Sequence, residues 1–92
     1  MSPKENIYYL LREYINGNYE MEIFCDEYTQ TFDIELDYNT LNEEEYKLLA
    51  ELSVFTGRFS PFEEDLKIPN VYFREEQVMR KIKEVYNKLI KQ

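Results

Sequence analysis

Apolar side chains recur every three to four residues in four separate stretches of this chain, and no stretch carries the strict alternation of a strand. That period puts each set on one face of an α-helix, so the chain is expected to be all-α. Ile7, Leu10, Leu11 and Tyr14 form the first stripe. Ser2-Pro3-Lys4-Glu5 opens it as a capping box with proline at the first helical position, and Asn16-Gly17 stops it. Met21, Phe24, Cys25, Tyr28 and Phe32 form the second stripe, expected over about residues 19–34 with Asn18 as its cap. Thr40-Leu41-Asn42-Glu43 also matches a capping box. The helix after it is expected to bury Leu41, Leu48, Leu49, Leu52 and Phe55 and to end at Gly57. Residues 58–73 read as a long loop with a short turn near 61–66, because Pro69 bars a continuous helix. Val78, Ile82, Val85, Tyr86 and Leu89 share one face of a last helix starting near Arg74. Four amphipathic helices pack best as an antiparallel four-helix bundle, here one domain over residues 1–92 with a long loop between helices three and four.

Ninety-two residues bury one modest core. Nine tyrosines, six phenylalanines and no tryptophan supply rings that suit both the edge of such a core and an interface. The longest apolar run, residues 7–11, is too short to span a bilayer, and the N-terminus lacks the pattern of a signal peptide, so a cytoplasmic location is expected. Cys25, the single cysteine, falls between Met21 and Tyr28 on the apolar stripe and has Asp26 and Glu27 beside it. It reads as a core thiol, since a reactive thiolate needs positive neighbours.

The net charge of −8 argues against nucleic acid and against an anionic membrane, both of which need a basic surface. It fits a basic protein partner, and it also fits simple solubility. The distribution is more informative. Residues 1–19 are neutral overall, 20–51 carry a net −10, 52–73 a net −1 and 74–92 a net +3. A basic last helix relieves repulsion inside the fold, but exposed pairs contribute only about 0–1 kcal/mol each. Many acids in the middle section must therefore face solvent or a partner.

Catalysis finds little footing. Without histidine there is no Ser-His-Asp or Cys-His nucleophile, no imidazole zinc ligand and no Glu-x-x-His di-iron motif. Gly17 and Gly57 are the only glycines, too few for a phosphate loop. The chain is thus expected to be no enzyme and to need no cofactor or metal. Asp33, Glu35, Asp37, Asn39 and Glu44 do occupy positions 1, 3, 5, 7 and 12 of a calcium-loop spacing. Tyr38 stands where the sharp turn requires glycine and Leu41 fills the ninth position, which favours a plain acidic link between helices.

The run Leu48-Leu49-Ala50-Glu51-Leu52-Ser53-Val54-Phe55-Thr56-Gly57-Arg58-Phe59-Ser60-Pro61, followed by acids, a linker and an amphipathic helix, resembles the bacterial self-protective immunity proteins of the colicin D type. Arg58-Phe59-x-Pro61 is its most specific piece. The resemblance covers residues 40–92 well and residues 1–39 in layout. It implies a four-helix bundle that binds a secreted nuclease toxin, of bacteriocin or contact-dependent inhibition type, that cuts transfer RNA. Acidic side chains would cover the toxin's cationic cleft where RNA phosphates lie. In the family, acids flank the Arg-Phe-x-Pro element; the matching slots here are Gly57, Ser60 and Phe62, and the nearest acids are Glu63, Glu64 and Asp65.

Toxin contacts are therefore expected at Glu63, Glu64, Asp65, Phe62, Ser60 and Arg58, with Glu51 and Glu44 on the third helix. Each has a plainer role beside it. Arg58 suits the last carbonyls of helix three, Phe59 suits the core, and Glu63 to Asp65 suit a solvated turn. Glu43-Glu44-Glu45 suits the positive end of a helix. Phe62, beside three acids, fits an exposed aromatic anchor. A monomer or weak dimer is expected when free. The other reading is an acidic adaptor or nucleic-acid mimic that binds a DNA- or RNA-binding protein.

Overall fold

The computed structural model describes residues 1–91. The chain is all-helical, as the apolar spacing predicts, and no strand forms among the described residues. Helix α1 spans Pro3–Ile15, α2 Met21–Gln30, α3 Glu43–Gly57, α4 Glu63–Leu66 and α5 Glu75–Leu89. The short α4 lies within the stretch expected as a loop.

The first capping box forms as expected. The Glu5 backbone N–H donates to Ser2 Oγ at 3.1 Å, and the Ser2 N–H donates to Glu5 Oε1 at 2.9 Å. Gly17, at φ +83°, takes the left-handed turn after α1, which costs glycine nothing. The second helix differs from expectation at both ends. Its cap position is Glu20, not Asn18, whose side-chain amide instead donates to Glu13 at 2.9 Å. Beyond Gln30 it widens into a π-helical turn over Thr31–Glu35, where the Leu36 N–H reaches back to the Thr31 carbonyl at 2.9 Å. In this stretch Phe32 and Leu36 are buried and Ile34 is exposed. A 3₁₀ turn at Tyr38–Thr40 follows.

The third helix starts two residues later than Thr40 implies. Asn42 is the cap, bonded reciprocally to Glu45: the Glu45 N–H donates to Asn42 Oδ1 at 2.8 Å, and the Asn42 N–H to Glu45 Oε1 at 2.9 Å. The Thr40 hydroxyl is held by the preceding turn, donating to the Asp37 carbonyl at 2.6 Å. The Asp37 carboxylate accepts from the Asn39 N–H at 3.0 Å, so this link closes on itself through turn geometry.

The core is formed by the predicted stripes. Ile7, Leu10 and Leu11 of α1, Phe24 and Tyr28 of α2, Leu49 and Leu52 of α3, and Val78, Ile82 and Val85 of α5 are all essentially inaccessible. Each is worth about 1.5–3 kcal/mol relative to exposure for its apolar part. Leu41 and Phe55, expected inside, are only partly buried. Helix α3 is the hub, packing most extensively on α5 and α2. Phe24, Tyr28 and Phe32 stack in series with centroids 5.6 and 6.0 Å apart, and the Tyr28 hydroxyl donates to the Leu49 carbonyl at 2.7 Å.

Glu45 joins α1 to α3. It is buried, and its carboxylate accepts from the Tyr8 hydroxyl at 2.6 Å and lies 3.2 Å from Lys4 Nζ, in addition to its cap bond. Lys4 also donates to the Thr40 carbonyl at 3.1 Å. The connection between α3 and α5 is pinned at its ends. The Phe73 N–H donates to the Arg58 carbonyl at 2.8 Å and the Ser60 N–H to the Phe73 carbonyl at 3.1 Å, while the Phe55 and Phe73 rings stack at 4.2 Å.

Candidate functional site

The residues singled out after helix α3 do not all reach the surface. Ser60 is buried. Its hydroxyl donates to Asp65 Oδ2 at 2.7 Å and accepts the Phe62 N–H at 3.1 Å. The expectation of a partner contact at Ser60 is therefore corrected: the side chain holds the entry to α4, and it draws Asp65 back toward the protein. Phe62 is exposed at 66%, as an anchor would be. Glu63 and Glu64 are exposed, and Glu63 lies a loose 3.8 Å from Arg74 across open solvent. The Arg58 side chain is also exposed; its backbone N–H, rather than its guanidinium, reaches the last turn of α3, at the Phe55 carbonyl.

Glu44, Glu51 and Arg58 are spaced by seven residues and so follow one side of α3, drifting only about 20° per heptad. At about 1.5 Å per residue they spread over roughly 21 Å, too far apart for one compact cluster. Glu51 is engaged within the fold. Its carboxylate accepts from Lys81 Nζ of α5 at 2.8 Å, and Lys81 also bonds Glu84, which pairs in turn with Lys88. That hydrogen bond from Lys81 holds the Glu51 carboxyl below its usual range. Burial opposes the charge on Lys81, but Glu51 and Glu84 outweigh it and lift the ammonium above its usual range. Glu51 thus reaches the surface only in part and already has a partner within the fold. Of the α5 cations, Lys81 pairs across the α3–α5 seam, and Lys88 pairs with Glu84 within α5.

Along α2, among the described residues, the only cation bordering the acids' clefts is Lys83, which comes from α5. The sequence carries no lysine or arginine between Arg12 and Lys47. Glu20, Glu22, Asp26 and Asp33 stand exposed on α2 and its flanks, on the side where residues 59–61 cross. Phe59 and Pro61 wall two adjoining clefts that also share Glu22. The first, of about 560 Å³, is bounded by Tyr14, Tyr19, Met21 and Met79 with Glu20, Glu75 and Lys83. The second, of about 510 Å³, is bounded by Asp26, Thr29, Asp33, Ile34 and Thr56. The Thr29 and Thr56 hydroxyls share a 2.9 Å hydrogen bond in its wall.

These α2 acids were visible in the sequence only as part of a charge block. Their cation-free surroundings were the available signal. The clefts depend on residues 59–61 folding across α2, which no local pattern encodes. Cys25 borders the second cleft but is buried, and burial, followed by the charges of Asp26 and Glu75, pushes its thiol up to about 12. Among the described residues no group of three or more histidine, cysteine or acidic side chains is arranged to hold a metal. None of the described helices is long and apolar enough to cross a membrane.

Fold and face together define an all-helical protein with one strongly anionic, grooved side. No family model, curated protein or solved structure matches the chain.

Proposed function

We propose that this chain is an immunity protein that binds and neutralises a cognate bacterial nuclease toxin, a transfer-RNA-cleaving ribonuclease of colicin or contact-dependent inhibition type. It acts in the cytoplasm, without catalysis of its own and without a cofactor. Helices α1, α2, α3 and α5 form the antiparallel four-helix bundle of such proteins, with α4 set into the connection. The observation that carries the reading is the exposed acidic face of α2, next to Phe59 and Pro61 of the Arg58-Phe59-x-Pro61 element through which the sequence resembles that family. A nuclease that holds RNA must present a basic cleft, and carboxylates placed against it take the positions of phosphates. Opposite potentials speed encounter and make it sensitive to salt.

The test is co-expression with a basic nuclease toxin domain sought in the neighbouring genes, followed by co-purification and an RNA-cleavage assay. Binding and inhibition are expected, with association slowing as salt rises. Glu22→Lys, Asp26→Lys and Asp33→Lys combined should slow association at least about tenfold, more than Glu63→Lys with Glu64→Lys, while the circular dichroism stays unchanged. Inhibition by both variants equal to the wild type would sink the reading. Binding without loss of nuclease activity would favour the acidic-adaptor alternative.

A further inference from the structure

We propose that the first cleft is a binding site for an arginine side chain presented by a basic protein partner. This deepens the reading above, because it names what such a partner inserts. The cleft lies where three helices meet: Tyr14 comes from α1, Met21 and Glu22 from α2, and Glu75 and Met79 from α5. Rings and thioethers line its walls and carboxylates stand at its rim. That is the complement of a side chain with an apolar stem and a cationic head. Its volume of about 560 Å³ is in the range of small-ligand pockets, about 300–1,000 Å³.

The wall chemistry favours a guanidinium over an ammonium. Tyr14, Tyr19 and Phe59 border the cleft, and a planar, weakly hydrated guanidinium suits aromatic rings while its fork engages a carboxylate with two hydrogen bonds. Lysine's compact ammonium holds its water more strongly. The single cation bordering the cleft, Lys83, lies two turns along α5 from Glu75, about 12 Å by helix rise, and leaves the Glu75 end anionic. The negative potential there is felt inside the fold. Besides burial, the charge of Glu75 helps push both the Tyr14 phenol and the Cys25 thiol above their usual ranges. No lysine or arginine between Arg12 and Lys47 offsets Glu20 and Glu22 from within their own segment.

The test is a nuclear magnetic resonance titration of the full chain, labelled with nitrogen-15, with the peptide acetyl-Ala-Arg-Ala-amide. Its lysine counterpart and its uncharged citrulline counterpart serve as comparisons. Saturable shifts are expected to centre on the amides of Gly17, Tyr19 and Met79. Arginine should bind at least about fivefold more tightly than lysine, and citrulline not at all. Glu22→Gln with Glu75→Gln should weaken the arginine peptide about tenfold, since charge-assisted bonds are lost. Both residues are exposed, and an otherwise unchanged spectrum verifies that the fold persists. Glu35→Gln with Glu76→Gln removes the same charge outside the cleft and should leave binding unchanged. Shifts spread over the acidic first turn of α3, equal affinity for lysine, no saturable shift, or indifference to the Glu22–Glu75 variant would each overturn the assignment. Nuclease inhibition that survives in a variant blind to the peptide overturns the pocket and keeps the immunity reading. Peptide binding by a protein that inhibits no nuclease keeps the pocket and overturns that reading.

Discussion

Replacing Glu45 with alanine measures how much one buried carboxylate contributes by joining two helix starts. Three groups lose a partner. The Tyr8 hydroxyl loses a 2.6 Å bond to a charged acceptor, worth about 1.5–3 kcal/mol. The Asn42 N–H loses its half of the capping box, worth about 0.5–1 kcal/mol. Lys4 is over a third exposed, so its 3.2 Å pair adds well under 1 kcal/mol. The expected loss is about 2–4 kcal/mol, or roughly 10–25 °C in Tm for a chain of this size. Thermal and urea unfolding followed by circular dichroism would read it. Glu44→Ala, one position earlier in the same turn but exposed, is the control and should change stability by less than about 0.5 kcal/mol. The sign of the pH dependence follows from the same contacts. Burial alone would raise the Glu45 carboxyl, but the bonds from Tyr8, Asn42 and Lys4 outweigh it and the folded value falls below the usual range. Its contribution is therefore complete above the ordinary carboxyl pKa and is lost as pH falls through the folded value. The gap between wild type and Glu45→Ala should be flat from about pH 6 to 8 and narrow below about pH 4. A Glu45→Ala loss no larger than that of Glu44→Ala would refute the reasoning.

Three further outcomes are expected. Tyr28→Phe removes only the buried 2.7 Å bond to the Leu49 carbonyl and should cost about 1–2 kcal/mol in urea unfolding, with the helical spectrum unchanged. Ser60→Ala frees the Phe62 N–H and Asp65, so hydrogen exchange at Phe62 should accelerate at least about tenfold while global stability falls by only about 1 kcal/mol. Cys25 should react with a thiol reagent at pH 8 only as fast as the protein unfolds, at least about a hundredfold slower than the denatured chain, because its thiol is buried and pushed up to about 12.

Helix positions were legible in the sequence because they rest on local spacing. The stripe over α2 is buried as read, those over α1 and α5 except for the half-buried Tyr14, Tyr86 and Leu89, and Ser2-x-x-Glu5 forms its box. The start of α3 shows the limit of such reading. Thr40-x-x-Glu43 and Asn42-x-x-Glu45 both fit the capping pattern, and tertiary structure chooses between them: Tyr8 and Lys4 of α1 hold Glu45, while Thr40 closes the turn before it. The π-helical turn at Thr31–Glu35 had no local signal. Asn6 of α1 donates to the buried Thr31 hydroxyl at 3.0 Å, a contact across twenty-five residues. For the candidate site, the sequence showed where acids are but not which are already paired. Glu51 and Asp65 look as available as Glu22 and Asp26 in a linear count. Lys81, thirty residues from Glu51, and Ser60, with its hydroxyl turned inward, make the difference.

The Phe59–Phe73 bridge has a consequence for how this protein can change. With residue 73 hydrogen-bonded to residues 58 and 60 on either side of Phe59, and the Phe73 ring stacked on Phe55, the chain between them leaves the helices and returns at nearly the same point. The exposed stretch from 67 to 72 is therefore the part of this connection open to replacement on a fixed frame. Doubling the length of a flexible segment between fixed ends costs only about 0.6 kcal/mol in closure entropy. Sequence and length in that stretch are free to drift while the four long helices stay in register. A graft of an unrelated peptide there should leave the frame folded.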